Sequence, residues 1–105
     1  MIAAASRRGI IVHPEAHISG AAELVGPLYV GAGVEVAAAR LGPNVCLMPG
    51  GRVGPGSRLS NALLLAGAAV GRECVLDQVV VEEGVTLADG TCLQGTAEQA
   101  VVAEG

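Results

Sequence analysis

Residues 30–36 read V-G-A-G-V-E-V, residues 41–47 read L-G-P-N-V-C-L, and residues 53–59 read V-G-P-G-S-R-L. Each stretch opens on an aliphatic residue, follows it with glycine, and returns to an aliphatic residue six positions later. The phase extends backward through Val12, Ile18 and Leu24, and forward through Leu65, Val70, Leu76, Val81, Leu87 and Leu93. Most steps are six residues, while the steps after Val36, Leu65 and Leu76 are five. A helix repeats its apolar residues at three, four and seven positions, and a half-buried strand at every second one. A period of six fits neither, but it fits a short strand followed by a tight corner. Three such strands and corners close a triangular coil of about 18 residues, and coils stack at the strand spacing of roughly 4.7–4.9 Å. The fifteen anchors predict an all-β chain, a single-stranded parallel β-helix of about five triangular coils.

The corners support this reading. The third residue after the anchor is Gly33, Asn44, Gly50, Gly56, Gly84 or Gly90 in the clearest units. Glycine accepts positive φ freely, and asparagine does so better than most other residues. Pro43, Pro49 and Pro55 each precede such a residue, as at the second position of a type II turn. The coils are expected over residues 10–95. Residues 1–9 form an N-terminal arm or cap, and residues 96–105 a C-terminal tail or cap.

Writing every third anchor in one column separates three walls. The first reads Val12, Val30, Leu47, Leu65, Val81; the second Ile18, Val36, Val53, Val70, Leu87; the third Leu24, Leu41, Leu59, Leu76, Leu93. The residue before each anchor points outward. On the second wall this outer column is His17, Glu35, Arg52, Ala69, and on the third it is Glu23, Arg40, Arg58, Val75, Cys92. On the first wall it is Tyr29, Cys46, Leu64, Val80, apolar outside as well as inside. A continuous exposed apolar strip marks an interface. Tyr29, Cys46, Leu64 and Val80 are therefore expected to pack against another subunit, most simply as a homotrimer about a threefold axis, or against a separate domain.

Composition narrows the function classes. The 105 residues are 51% hydrophobic, yet include no Phe, no Trp and one Tyr. A narrow, repetitive interior suits Val, Leu, Ile and Ala better than a broad core, which aromatics normally help to fill. The net charge is −4 with no lysine, so a nucleic-acid surface is not expected. No apolar run approaches the 18 or so residues of a membrane-spanning helix. The opening apolar residues precede Arg7 and Arg8, the reverse of a secretory signal. Cys46, Cys74 and Cys92 are odd in number and contain no C-x-x-C pair, so neither a disulfide framework nor a zinc site is expected. Free thiols fit a cytoplasmic protein.

The units V-G-A-G-V-E, L-G-P-N-V-C and V-G-P-G-S-R resemble those of the left-handed β-helix, or hexapeptide-repeat, superfamily of bacterial transferases. The left-handed sense comes from that resemblance, because crossovers between parallel strands are otherwise right-handed. Val12-His13-Pro14-Glu15-Ala16-His17-Ile18 is similar to the first coil of such domains. Leu59-Ser60-Asn61-Ala62 followed by Leu63-Leu64-Leu65, with Cys74-Val75-Leu76-Asp77 and Val79-Val80-Val81 beyond, resembles the C-terminal β-helix of sugar-nucleotide pyrophosphorylases. The mannose-1-phosphate guanylyltransferase and glucose-1-phosphate nucleotidyltransferase types are the nearest. In that family a separate N-terminal domain with a glycine-rich nucleotide loop carries the chemistry, and nothing here matches it. V-G-A-G-V-E lacks the strand-to-helix context of a dinucleotide loop, and G-R-V-G-P-G-S-R lacks the Gly-Lys-Ser/Thr of a P-loop. The resemblance implies a non-catalytic module for oligomerisation, regulation or support of a nucleotidyltransferase catalytic domain, with no cofactor and no metal.

Two rivals come from the same superfamily. Its acyl-CoA-dependent acyltransferases place a catalytic histidine near a subunit interface, and the candidates here are His13 and His17. A histidine base also needs an orienting acceptor, for which Glu15 and Glu35 are the nearest in sequence; a structural or surface role is the simpler expectation for both histidines. Two histidines cannot supply the three zinc ligands of the superfamily's carbonic anhydrases. The other rival is a bactofilin-like scaffold assembled end to end through the open edges of the coil.

Overall fold

The computed structural model describes residues 9–95 and 101–103. Over these residues the chain is a stack of parallel strands with no helix. The first wall is built from β1 (Ile10–Val12), β4 (Leu28–Val30), β7 (Val45–Leu47), the second halves of β9 (Arg58–Leu64) and β11 (Val75–Val81), and β14 (Val101–Ala103). The second wall holds β2 (His17–Ile18), β5 (Glu35–Val36), β8 (Arg52–Val53), β10 (Ala69–Val70) and β12 (Thr86–Leu87). The third holds β3 (Glu23–Leu24), β6 (Arg40–Leu41), the first halves of β9 and β11, and β13 (Cys92–Gln94). Each strand pairs with the strand one coil away, so residues 17 or 18 apart in sequence become neighbours, and 22 apart where β14 meets β11. The stack has about five turns.

The register confirms two of the three expected columns. Ile18, Val36, Val53, Val70 and Leu87 are successive Cα partners on the second wall. Leu24, Leu41, Leu59, Leu76 and Leu93 are successive partners on the third. The first wall needs one correction. The residue stacked between Leu47 and Val81 is Leu64, not Leu65, and its side chain is 0% exposed. The outward residue of that coil is therefore Leu63, and Leu64 cannot serve as an interface residue. The short step follows Leu59 rather than Leu65. Its physical cause is the next coil, whose step from Leu76 to Val81 is also five residues. The two seven-residue strands β9 and β11 then pair along both walls without slipping. Their shared corner is turned by Asn61 and Gln78, both at positive φ (48° and 59°).

The corrected frame extends the corner rule. Gly67, three residues after Leu64, has φ +72°, like Gly33, Gly50, Gly56, Gly84 and Gly90, and Asn44 has φ +62°. It also reveals a second inward column that the six-residue period alone hides. The residue two before most anchors is buried as well: Ile10, Leu28, Val34, Ala39, Val45, Ala62, Ala68, Cys74, Val79 and Val85. Each strand thus alternates in, out, in, as a pleated strand must. Alanine, cysteine and serine hold this position at Ala39, Ala62, Ala68, Cys74 and Ser57, where the anchor two residues on is Leu or Val. The polar member of this column, Ser57, is 1% exposed and fully bonded. Its Oγ donates to the Gly71 carbonyl at 2.7 Å and accepts from the Cys74 amide at 3.1 Å.

The end coils are thinner. Val12, Ile18, Leu24, Leu87 and Leu93 are only partly buried, packed against the central coils from outside. Of the segment expected as a C-terminal tail or cap, Val101–Ala103 forms β14 and pairs in parallel with Val79–Val81. The remaining terminal residues lie outside the described ones. No helix among the described residues is long and apolar enough to cross a membrane.

Candidate functional site

Alternation of the strands decides which side chains leave the prism. On the first wall the outward column reads Ile11, Tyr29, Cys46, Leu63, Val80, Val102, each the Cα partner of the next. Tyr29, Cys46 and Val80 are brought together as the sequence predicts, and Leu63 takes the place expected for Leu64. Ile11 (58% exposed) and Val102 (49%) extend the column to both ends, and Tyr29 is 38% exposed. Pro27, Asn44 and Asn61 border it, Asn44 donating through its amide nitrogen to Asn61 Oδ1 at 3.0 Å. None of the six residues in this column carries a charge. The wall is thus a shallow apolar face with a polar, uncharged margin.

Cys46 lies in the middle of this face, with its Sγ 3.9 Å from Met48 Sδ. Burial pushes its thiol above the usual cysteine range. Thiolate is the nucleophilic form, so a raised pKa slows alkylation at a given pH. Cys74 is fully buried, with its Sγ 3.2 Å from the Ala88 carbonyl oxygen, and Cys92 is exposed. Maleimide labelling of the native chain at neutral pH is expected to modify Cys92 first, Cys46 more slowly, and Cys74 only after denaturation. Mass mapping of the labelled peptides over time checks the order.

The second wall is polar outside. His17, Glu35, Arg52, Ala69 and Thr86 form its outward column, and a shallow open groove runs beside them over Gly54, Gly71, Arg72 and Asp89. Arg52 Nε is 3.7 Å from Glu35 Oε1, with both side chains well exposed. The pair joins neighbours one coil apart in the outward column, and solvent screening limits it to about 0–1 kcal/mol. Glu23 and Arg40 are register neighbours on the third wall but lie beyond ion-pair distance. Asp89 has a structural task, its Oδ1 accepting the Arg72 amide proton of the preceding coil at 2.9 Å. Asp77 has another, its Oδ1 accepting from Ser60 Oγ at 3.1 Å and Asn61 Nδ2 at 2.9 Å.

The two histidines are placed apart in role. His13 turns the corner after β1, where its Nδ1 accepts the Glu15 amide proton at 3.0 Å. That bond occupies one ring nitrogen in local turn geometry. His17 is exposed on the second wall with Glu35 as its register partner. Glu35 is turned to Arg52, and no hydrogen bond orients the His17 ring among the described residues. Neither imidazole is held against a carboxylate among the described residues. Among the described residues no buried side-chain nitrogen or oxygen lacks a partner, and no group of three metal-ligating side chains converges.

Known proteins place this arrangement in context. PerB from Caulobacter crescentus, solved in complex with CoA and GDP-perosamine, is 24% identical with a TM-score of 0.44, over 80% of this chain and 53% of that one. A point variant of GDP-perosamine N-acetyltransferase from Caulobacter crescentus, with the same two ligands, is 25% identical with a TM-score of 0.45, over 80% and 52%. The chain spans about half the length of these structures. No curated protein matches it. The family model described as "GlmU-like, C-terminal hexapeptide" matches residues 11–100, which include β2 through β13. Repeat, corners, register and that match agree, and the chain belongs to the GlmU-like C-terminal hexapeptide family of left-handed β-helices.

Proposed function

We propose that this chain is a non-catalytic β-helix module that associates with copies of itself through the first wall and so organises a sugar-phosphate nucleotidyltransferase catalytic domain. The observation that carries the reading is the unbroken outward column Ile11, Tyr29, Cys46, Leu63, Val80, Val102. Exposed apolar area of this continuity favours burial against a partner. The other two walls carry the charged side chains that keep a surface in water. Of the polar groups on them, Glu35 and Arg52 form a weak surface pair, and Asp77 and Asp89 are bonded at corners. The sequence reading favours three copies about an axis, and the wall supports two copies equally well.

Sedimentation equilibrium tests the proposal. The wild-type chain is expected to run at two or three times its 10.4 kDa mass. Leu63→Asp places a charge that would be desolvated on association, so it is expected to run as a monomer with an unchanged circular dichroism spectrum. A wild-type chain that is monomeric at all concentrations would remove the proposal.

One observation favours an acyl-CoA-dependent transferase as a second reading: His17 and Glu35 stand in register beside the open groove of the second wall. Under the module reading, acetyl-CoA incubated with a panel of amino sugars is consumed no faster with the chain than without it. Consumption that His17→Ala abolishes while His13→Ala spares it would establish the enzyme instead.

A further inference from the structure

We infer that Arg40 and Arg58 form an anion site on the third wall, which takes a free tetrahedral oxyanion of the phosphate or sulfate type. The two residues are Cα partners on β6 and β9, so their side chains leave one face a single strand spacing apart, roughly 4.8 Å. Both are exposed. Like charges directly opposite on neighbouring strands destabilise the pairing. The chain has ten carboxylate side chains and a net charge of −4, yet no carboxylate neutralises this pair among the described residues. Within 4 Å the ion pair formed there is Arg52 with Glu35. Glu23, the register partner on the other side of Arg40, stays beyond that distance. Asp77 has its Oδ1 taken by Ser60 and Asn61.

The surface around the pair fits a small ion. One shallow groove runs over Glu23, Ala38 and Gly56, and another over Gly42, Pro43 and Asp77. Arg40 and Arg58 are the two residues common to both grooves, so they form the ridge between them. An ion seated on that ridge is reached by both side chains at once. A guanidinium offers its donors as a planar fork, which binds an oxyanion through short, charge-assisted hydrogen bonds. A carboxylate has two oxygens and one charge, enough for one fork. Phosphate or sulfate keeps further oxygens for the second fork, and a charge approaching −2 matches two cations. Beyond the ridge the grooves are shallow, so the contacts end at the oxyanion and nothing holds a larger body attached to it. The bound ion ties two adjacent coils together, so its binding adds to the stability of the stack. The site lies on a different wall from the apolar column and does not depend on association through it.

Thermal unfolding tests the site, with sodium phosphate, sodium sulfate and sodium chloride compared at equal ionic strength and neutral pH. The wild-type midpoint is expected to stand about 4–8 °C higher in either oxyanion than in chloride. Both oxyanions also stabilise folded proteins generally by exclusion from their surfaces. Arg40→Gln and Arg58→Gln measure that background and are expected to show it alone. Equal rises in wild type and variants would overturn the inference. In chloride, Arg58→Gln is expected to unfold no lower than wild type, because the repulsion is relieved. A clearly lower midpoint there would show that the pair is already neutralised, and would overturn the premise. Titration calorimetry with phosphate is expected to find one site per chain, at least about tenfold weaker in either variant and tighter in Glu23→Gln, where a competing negative charge is gone. No saturable site in wild type, or one that both variants keep, would sink the assignment. β-Glycerophosphate is expected to protect no better than phosphate, and stronger protection would overturn the choice of the free ion.

Discussion

Leu64→Ala is expected to lower the unfolding free energy by about 3–5 kcal/mol, while Leu65→Ala changes it by less than about 1 kcal/mol. The two leucines are neighbours of the same type, so the difference isolates burial. Leu64 is 0% exposed, stacked between Leu47 and Val81, themselves fully buried. Truncation removes the transfer free energy of its buried carbons and leaves a cavity in a narrow prism with backbone on every side. Strands held in ladders above and below cannot close that space, so the cavity term persists. Leu65 is only half-buried and begins the corner that Gly67 completes. Its amide donates to the Val81 carbonyl, which alanine preserves. Urea denaturation of both variants gives the difference directly. Equal losses, or a larger loss at Leu65, would restore the frame that steps from Leu59 to Leu65.

Why the sequence left this point open is instructive. Leu63-Leu64-Leu65 offers three identical side chains, so a search for an aliphatic residue every six positions finds one at either phase. Two signals in the chain do select Leu64. Gly67 stands three residues beyond it, the offset at which the other corners hold glycine or asparagine. Leu47, Leu64 and Val81 are also evenly spaced by 17 residues, as are Val36, Val53, Val70 and Leu87. Coil length is a stronger constraint than step length, because a strand must meet its neighbour in register along its whole length. The other two walls contain no such run, and there the anchors were legible without error.

The second inward column was less visible for a different reason. Ala39, Ala62, Ala68, Ser57 and Cys74 are small and individually unremarkable, and only the pleat of a three-residue strand reveals that they point inward with the anchors. The candidate interface was legible in part. Tyr29, Cys46 and Val80 follow from the column itself. Ile11 precedes the first anchor, Val12, and Val102 lies beyond the last repeat unit. What sequence could not supply was engagement. That Glu35 turns to Arg52, that His13 closes its own turn, and that Asp77 and Asp89 brace corners are facts of three dimensions.

Gly42→Ala is expected to cost about 4 kcal/mol, the sum of a backbone penalty and a collision. Gly42 has φ +104°, outside the left-handed pocket that alanine tolerates at a cost of about 1–2 kcal/mol. A methyl group there would also press onto the carbonyl of Val25 in the coil below, and that atom is backbone, unable to rotate aside. Gly42 is held from the other side as well, its amide donating to the Leu59 carbonyl at 2.8 Å. The glycine after the anchor in L-G-P-N thus serves close stacking of coils. The same holds in V-G-P-G, where a Cβ at Gly54 would lie 2.5 Å from the Gly71 carbonyl oxygen. Two controls separate the terms. Gly33 has φ +70° with nothing nearer than 3.9 Å to an added Cβ, so Gly33→Ala should lose only the backbone penalty. Gly20 has neither a positive φ nor a neighbour within 4 Å, so Gly20→Ala should gain about 0.4–1 kcal/mol by restricting the unfolded chain. The order of unfolding midpoints, Gly42→Ala lowest, then Gly33→Ala, then wild type, then Gly20→Ala, follows from coils packed backbone to backbone. A Gly42→Ala chain as stable as Gly33→Ala would mean that the coils have room to part at that corner.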